Sequence, residues 1–353
     1  MVFLAGPRQV GKTTIARELV GQGGTYLNWD VDEDRSAILK KQYARNDLVV
    51  FDEIHKFSRW RNYLKGVYDS APQGLKILVT GSARLDLYRK GGDSLQGRYH
   101  FLRMYPLTVA ELGIQNRSDF HTLLSLGGFP EPYLKQDKAS ADRWSSQYLA
   151  RVARDEIQTL EKVQDVALLE LLAYRLPDLV GSPISVNALR EDLQVAHKSV
   201  VRWLEIFERL YVQFPVLPFG SPKIKAVKKE RKLYLFDWNS IVESRPRFEK
   251  LVADHLLKWC RWRQDSAGSR VDLKFMRWLD GSEIDFVITE RGVPTLAIEC
   301  KWQATSVHKP LLAFKRKFPK CRVVQVAADS EKEFVTTEGI EVIPAWKLLK
   351  EWV

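Results

Sequence analysis

A glycine-rich segment near the start of the chain has the composition of a phosphate-binding loop. It reads G-P-R-Q-V-G-K-T and satisfies every fixed position of the pattern G-x-x-x-x-G-K-[ST]. The glycines let backbone N–H groups face phosphate oxygens, and the following helix adds partial positive charge at its N-terminus. We therefore expect Lys12 to reach the β- and γ-phosphates of ATP and the Thr13 hydroxyl to bind Mg²⁺. The residues predicted to bind ATP are Gly6, Pro7, Arg8, Gln9, Val10, Gly11, Lys12, Thr13 and Thr14.

Two adjacent carboxylates follow the next apolar run. Residues 48–51 predict a buried strand, and Asp52 and Glu53 stand at its end. Asp52 would hold Mg²⁺ through water, and Glu53 would polarise the attacking water. Because both carboxylates are present, the pattern predicts ATP hydrolysis rather than binding alone. The letters D-E-I-H at 52–55 also spell a helicase box, but the other helicase signatures are not evident in the sequence.

A third strand and a loop arginine complete the predicted nucleotide site. Residues 76–80 predict a strand that ends in Thr80, and ligands of parallel α/β sheets bind at the carboxyl ends of strands. We expect Thr80 to sense the γ-phosphate or to orient water; the alternative is a simple cap of the strand. Arg98 is predicted to stabilise transition-state charge on the ATP of a neighbouring subunit. The competing candidates for that role are Arg84, Arg89 and Arg103.

The C-terminal part of the chain has a second set of residues with catalytic spacing. Two apolar runs joined by a short turn predict a hairpin, and alternation places Glu299 and Lys301 on one face of its second strand. The first strand can bring Asp285 beside them, and an upstream amphipathic helix carries Glu249. Asp285 and Glu299 could then hold Mg²⁺ and, with Lys301, activate water against a phosphodiester. This order resembles the PD-(D/E)xK nucleases; the alternatives are an ion pair at a strand edge and a nuclease fold that does not cleave.

The elements that must position these residues fall into four predicted domains. Residues 1–114 predict an α/β domain with a parallel sheet and a phosphate-binding loop. Residues 115–181 turn helical, with apolar residues at three- and four-residue steps, and predict a lid or connector. Residues 182–222 predict a winged helix-turn-helix, and residues 223–353 an α/β domain like that of restriction endonucleases.

The winged-helix prediction rests on a helix at 187–193, a turn and a second helix capped by Ser199. Extended segments at 211–216 and 233–236 would form the wing. The loop 223–232 holds six basic residues and could follow DNA phosphates. Winged helices also bind proteins, so DNA and protein both remain candidate partners of residues 182–222. The side chains that would face a major groove are Lys198, Arg202, Glu205 and Arg209.

Composition and charge narrow the class of protein. The 353 residues are 45% hydrophobic and 28% charged, which is typical of a soluble globular protein. No apolar run approaches the roughly 18 residues that span a bilayer, and no signal peptide is recognisable, so we expect a cytoplasmic protein without membrane contact. The three scattered cysteines argue against disulfides and zinc. The net charge of +11 favours a polyanionic partner such as DNA.

Several motifs together resemble the AAA+ ATPases, specifically the bacterial and archaeal group with the string G-P-R-Q-V-G-K-T-T. The further matches are Y-L-N-W-D at 26–30, D-E-I-H at 52–55, T-G-S-A at 80–83, G-R at 97–98 and G-G-F-P-E at 127–131. The resemblance extends to the C-terminal module of unknown function that accompanies this group. It implies a homo-oligomer, such as a hexameric ring, with ATP between subunits. Relatives usually have a segment before the first strand, and its lack here would weaken adenine binding or assembly.

Two functions of different classes follow from these features. The first is an oligomeric ATPase that uses Mg²⁺, acts on DNA and has a nuclease-like C-terminal domain. The second is a nucleotide-controlled switch or assembly platform whose C-terminal half recruits a protein and does not cleave nucleic acid. ATPase stimulation by DNA and cleavage in Mn²⁺ distinguish them.

Overall fold

A parallel sheet dominates the first part of the chain in the computed structural model. The structure describes residues 1–21, 23–81, 95–152, 154, 166–220, 231–304 and 306–352. The chain divides into two units, each described by itself below. The N-terminal unit comprises Met1–Tyr105 with Arg209–Tyr211, and the C-terminal unit comprises Pro106–Glu208 with Val212–Val353.

The N-terminal unit is a five-stranded sheet in the order β2-β3-β4-β1-β5, and all its strand pairs are parallel. Its strands are short apolar runs, and the side chains of Val49, Val50 and Phe51 are fully buried, as parallel strands covered on both faces require. The strands are β1 Val2–Ala5, β2 Thr25–Asn28, β3 Leu48–Asp52, β4 Lys76–Thr80 and β5 His100–Arg103. The helices are α1 Lys12–Val20, α2 Asp32–Lys40 and α3 Trp60–Asp69.

The C-terminal unit begins with helices, as the apolar spacing predicts. Asn116 caps the first of them, because its side chain accepts a hydrogen bond from the Asp119 backbone N–H at 2.9 Å. The expected cap at Ser199 is wrong, since its helix begins two residues earlier, at His197. The helices are α4 Arg117–Leu126, α5 Pro130–Lys135, α6 Lys138–Arg151, α7 Val166–Arg175, α8 Val186–Asp192 and α9 His197–Arg209.

An eight-stranded sheet in the order β12-β13-β11-β10-β9-β8-β6-β7 follows these helices. The long helix α10, Ser244–Ala267, precedes three antiparallel neighbours, and a crossover through α11, Lys309–Lys317, leads to the parallel strand β11. The strands are β6 Gln213–Pro218, β7 Lys232–Leu235, β8 Val271–Arg277, β9 Glu283–Glu290, β10 Val293–Lys301, β11 Arg322–Ala327, β12 Phe334–Val335 and β13 Glu341–Pro344, and the short helix α12 spans Ala345–Leu348. Together the two sheets confirm the predicted α/β fold class, with a parallel N-terminal sheet and a C-terminal α/β sheet.

The segments expected to form a wing belong to this larger sheet. Strand β6 pairs antiparallel with β7 and parallel with β8. Both segments expected to form the wing are therefore part of the same sheet as the C-terminal strands. The predicted domain border after residue 222 lies between β6 and β7, which are hydrogen-bonded neighbours. In the part of the chain that the structure describes, no helix has both the length and the apolarity to cross a bilayer.

Helix α10 contains a buried ion pair that predicts a measurable effect on stability. Lys250 has no exposed surface and donates to Asp254 Oδ2 at 2.6 Å. Burial lowers the pKa of Lys250 to about 8 and raises the pKa of Asp254 to about 7. Lys250→Met should lower the free energy of unfolding by about 3 kcal/mol at pH 8, because it leaves a buried carboxylate without a counter-ion.

Urea denaturation of Lys250→Met at two pH values tests this prediction. A carboxyl whose pKa is raised in the folded state destabilises that state as pH rises, so the loss should be smaller at pH 5 than at pH 8. The double variant Lys250→Met/Asp254→Leu should recover most of the loss, since neither charge is then buried. Equal losses at both pH values would contradict the ion-pair explanation.

Candidate functional site

The loop between β1 and α1 has the backbone conformation that its glycines permit. Gly6 has a φ of +150°, and a Cβ there would lie 2.1 Å from the Met104 carbonyl oxygen, so no side chain fits. Gly11 precedes α1 with a φ of 101°, in the left-handed region. Val10 is buried, so only its backbone can contact a phosphate. The loop therefore offers main-chain N–H groups at the start of a helix, as a phosphate site requires.

Lys12 is the first residue of α1, directly after this loop. Its side chain is largely buried, with 8% of the residue exposed. Its Nζ donates hydrogen bonds to the carbonyl oxygens of Gly6 and Pro7, at 3.0 and 2.5 Å. The positive charge of Lys12 also acts on the Glu53 carboxyl, whose pKa it lowers. An ammonium held in the phosphate-binding segment can attract phosphate.

Three hydroxyl groups converge on Asp52 at the end of β3. Thr13 Oγ1 donates to Asp52 Oδ2 at 2.8 Å, and Thr80 Oγ1 donates to Oδ1 at 2.6 Å. The structure thus brings together three of the residues predicted from separate motifs. The Asp52 carboxylate and the Thr13 hydroxyl are adjacent hard oxygen donors, which fit a Mg²⁺ ion.

The third hydroxyl belongs to Tyr26, which is not among the residues predicted from the sequence for this site. Its OH donates to Asp52 Oδ2 at 2.6 Å, and the Arg17 guanidinium lies 5.0 Å from its ring centroid. Burial and the Asp52 carboxylate raise the pKa of Tyr26, so its OH stays a donor. The sequence signal for Tyr26 was the Y-L-N-W-D string at 26–30, one of the matches in the resemblance to AAA+ ATPases. The contact itself follows from β2, which is the parallel neighbour of β3 and pairs Asn28 with Asp52.

Glu53 stands beside Asp52 in an unusual backbone conformation. Its φ is 56°, and its N–H donates to the Thr80 carbonyl oxygen at 3.0 Å, which ties the turn to β4. Its Oε2 lies 3.2 Å from Lys56 Nζ and 3.6 Å from His55 Nε2. Burial raises the pKa of Glu53, with an added contribution from Asp52, while Lys56 opposes the rise. A partly buried carboxyl with raised proton affinity suits a general base.

Arg98 pairs within its own unit. Its Nε donates to Asp69 Oδ1 at 2.8 Å, at the end of α3, and this bond lowers the pKa of the Asp69 carboxyl. The predicted action of Arg98 on a neighbouring subunit stays a prediction. Of its competitors, Arg103 ends β5, whereas Arg84 and Arg89 lie outside the described residues.

The C-terminal set of predicted residues also comes together, where β9 begins and its neighbour β10 ends. Asp285 Oδ2 accepts a hydrogen bond from the Cys300 N–H at 2.8 Å, and the Asp285 N–H donates to Glu299 Oε2 at 3.4 Å. Lys301 Nζ donates to Glu299 Oε1 at 2.6 Å. Helix α10 adds Glu249, whose Oε1 accepts from the Tyr234 hydroxyl at 2.6 Å.

Lys232 joins this cluster, and its predicted position in a phosphate-tracking loop is wrong. It begins β7 and has no exposed surface, whereas residues 223–230 of that loop lie outside the described residues. Its Nζ donates to Glu283 Oε1 at 3.0 Å and lies 3.7 Å from Glu249 Oε1 and 4.0 Å from Asp285 Oδ1. The run of basic residues around Lys232 hid this contact, because it suggested a solvated surface.

The carboxyl groups of the cluster affect each other. Burial, and next the Asp285 charge, raise the pKa values of Glu249 and Glu299 to about 8. Burial opposes the charge on Lys232, but the carboxylates of Glu249, Asp285 and Glu283 outweigh it and raise its pKa. Mutual repulsion of this kind is typical of sites that bind cations or protons.

A cavity of about 500 Å³ opens beside these groups. Its lining residues are Arg245, Pro246, Phe248, Glu249, Cys300, Lys301, Trp302 and Gln303. Two of the predicted catalytic residues, Glu249 and Lys301, therefore border an accessible space. Within the described ranges, no group of three or more His, Cys, Asp or Glu side chains is arranged to hold a metal ion.

Comparison with protein families divides the chain in three. Residues 1–113 match the family described as an AAA domain. Residues 117–240 match a domain of unknown function, DUF8612, and residues 246–348 match another, DUF4143. The N-terminal part is thus similar to AAA domains, and the descriptions of the other two families state no activity.

Relatives with similarity over most of the chain are uncharacterized. Proteins of Mycobacterium bovis and Mycobacterium tuberculosis are each 25% identical over 378 residues, which cover 98% of this chain and 83% of theirs. An uncharacterized protein of Methanocaldococcus jannaschii is 22% identical over 287 residues, which cover 66% of this chain and 60% of its own.

Two solved structures have limited similarity. A variant of Thermotoga maritima RuvB aligns with a TM-score of 0.29 and 17% identity, covering 64% of this chain and 85% of its own. The Aeropyrum pernix ORC1 protein in complex with DNA aligns with a TM-score of 0.35 and 14% identity, covering 72% of this chain and 87% of its own. At such scores, any proposal for this chain rests on its own residues.

Proposed function

We propose that the N-terminal unit binds ATP with Mg²⁺ and hydrolyses it. The observation that supports this most strongly is the meeting of Thr13 and Thr80 on the Asp52 carboxylate. These residues come from the first turn of α1, from β4 and from β3, and they meet at the carboxyl ends of parallel strands, where ligands of such sheets bind. The similarity of residues 1–113 to AAA domains agrees with this proposal.

The residues of this site have distinct roles in the proposed reaction. The loop N–H groups and Lys12 bind the phosphates and counter the negative charge that develops on them. Asp52 and Thr13 would hold Mg²⁺, which supplies charge neutralisation when bound. Glu53 accepts the proton of the attacking water. Thr80 keeps Asp52 oriented, because its hydroxyl donates to the carboxylate in the buried interior.

Phosphate release from ATP, with and without Mg²⁺, tests this function. We expect turnover that requires Mg²⁺ and stays absent with EDTA. The same assay with single- and double-stranded DNA tests for a DNA partner, and stimulation that fades with salt would support it. Failure to bind ATP or to release phosphate in Mg²⁺ would refute the proposal.

The proposed site works between subunits of a homo-oligomer such as a hexameric ring. For Arg98 to reach a neighbour's ATP, its bond to Asp69 must open, and both side chains are partly exposed. Light scattering with and without ATP measures the assembly. A chain that hydrolyses ATP at full rate as a monomer would contradict this part of the proposal.

A second function, phosphodiester cleavage at the C-terminal site, is favoured by the convergence of Glu249, Asp285, Glu299 and Lys301 beside a cavity. Glu249 on a helix, then Asp285 on β9, then Glu299 and Lys301 on β10 also agree with the resemblance to PD-(D/E)xK nucleases. Asp285 and Glu299 would hold Mg²⁺, since a divalent cation would stabilise the charged form of two buried carboxylates whose pKa values are raised.

Exposed Lys198 and Arg202 on α9 are candidates for DNA contact.

Asp285→Asn should reduce the rate of DNA cleavage in Mn²⁺ by about 100-fold or more, because it removes a charge from the proposed metal site. ATP turnover should stay unchanged, since Asp285 lies in the other unit. Glu331→Gln, an exposed carboxylate of the same unit, is the matched control. Absent cleavage in the wild-type chain, together with a stable protein partner in pull-downs, would favour the assembly platform instead.

A further inference from the structure

Lys232 carries a charge that the proposed reactions do not use. The residue is 0% exposed, so its ammonium has no contact with bulk water or with a bound substrate. A buried ammonium is tolerated only where carboxylates or other acceptors surround it. Lys232 therefore acts through its neighbours rather than on a reacting group.

Its neighbours are three carboxylates from two elements. Glu283 and Asp285 are two residues apart on β9, so they lie on the same face, and Glu249 comes from α10. Their oxygens lie 3.0, 4.0 and 3.7 Å from Lys232 Nζ, respectively. The ammonium thus lies within 4.0 Å of three carboxylates. Carboxylate oxygens are the ligands that divalent cations prefer, although with the ammonium among them these described side chains are not arranged as a metal site.

Close packing holds this arrangement in place. The Phe275 ring centroid lies 5.4 Å from Lys232 Nζ, and the Tyr234 hydroxyl donates to Glu249. Gly181 lies against Glu249, since a Cβ there would be 3.4 Å from Oε1. The Glu249 carboxylate is therefore held near the ammonium by its own contacts.

We propose that the Lys232 ammonium is the resident counter-cation of Glu249, Glu283 and Asp285, and that it keeps divalent cations out of the space between them. A metal ion among these oxygens would lie within a few ångströms of a fixed positive charge, and the repulsion would be strong in a buried site. Any divalent cation of the C-terminal site is then held on the Asp285–Glu299 side, without Glu249. This last statement rests on the proposed C-terminal site.

The test replaces Lys232 by methionine in the full chain and measures Mn²⁺ binding by calorimetry without nucleotide. The parent chain and the Lys232→Met variant both carry Asp52→Asn, which removes a carboxylate ligand of the nucleotide site and so reduces Mn²⁺ binding there. We expect Lys232→Met to bind Mn²⁺ at least about tenfold more tightly than the parent chain, because a positive charge has been removed. Mn²⁺ should also raise the Tm of this variant more than that of the parent.

Lys250→Met is the matched control, since Lys250 is equally buried but pairs with a single carboxylate in α10. It should gain no Mn²⁺ site. Equal Mn²⁺ affinity in Lys232→Met and its parent would overturn the proposal. A Lys232→Met chain that folds only when Mn²⁺ is added would support it.

If Lys232→Met does not fold, two further variants test whether divalent cations are kept away from Glu249. With Lys232 intact, Glu249→Gln should leave the Mn²⁺ affinity within about twofold, whereas Asp285→Asn should weaken it at least about tenfold. A tenfold loss in Glu249→Gln would make Glu249 a metal ligand and overturn the proposal. Cation binding is measured apart from ATP turnover and strand cleavage, so either proposed function can fail while this inference stands.

Discussion

Lys12→Ala should reduce ATP turnover by about 1,000-fold, because it removes a fixed positive charge from the place where phosphate charge develops. Lys12 is suited to that role since it is nearly buried and donates to the carbonyl oxygens of Gly6 and Pro7. Alanine leaves those carbonyl groups without their donor and the loop without its charge. Steady-state phosphate release measures the effect, and titration with a fluorescent ATP analogue measures the accompanying loss of affinity.

Lys40→Ala is the matched control for this experiment. Lys40 is an exposed lysine in the last turn of α2 in the same unit, so its loss changes net charge equally without touching the loop. Its turnover should match that of the wild-type chain. If Lys12→Ala retained more than about a tenth of wild-type turnover, the phosphate site would have to lie elsewhere.

Glu53→Gln should have a different signature, in which ATP still binds but hydrolysis slows by about 100- to 1,000-fold. The amide keeps the shape of the side chain but cannot accept the proton of the attacking water. The backbone bond from Glu53 to Thr80 survives the change, so the turn after β3 should keep its conformation. Single-turnover hydrolysis separates this chemical step from binding.

Glu33→Gln, an exposed carboxylate of α2, serves as the control for charge alone. Its rate and affinity should stay at wild-type values. Should Glu53→Gln lose ATP affinity in proportion to its rate, Glu53 would act in binding rather than as the general base. Thermal unfolding of both variants checks that the loss of the Glu53 contact to Lys56 has not destabilised the unit.

The sequence by itself determined those functional groups whose residues are close together in the chain. The loop from Gly6 to Thr13, the pair Asp52–Glu53 at a strand end and the E-x-K pattern at Glu299 and Lys301 are recognisable because chain geometry over a few residues sets their relative positions. Strand periodicity likewise predicted the hairpin that carries Asp285. Ser199 failed as a cap because α9 begins at His197, so Ser199 lies inside its first turn.

The tertiary structure alone decided which distant residues meet. Tyr26 reaches Asp52 only because β2 pairs with β3, and Thr80 meets the same carboxylate because β4 lies on its other side. Lys232 has the local sequence of an exposed basic loop, yet strand pairing and α10 surround it with carboxylates. Such contacts depend on strand order and packing over long sequence separations, and residue type and spacing carry little information about either.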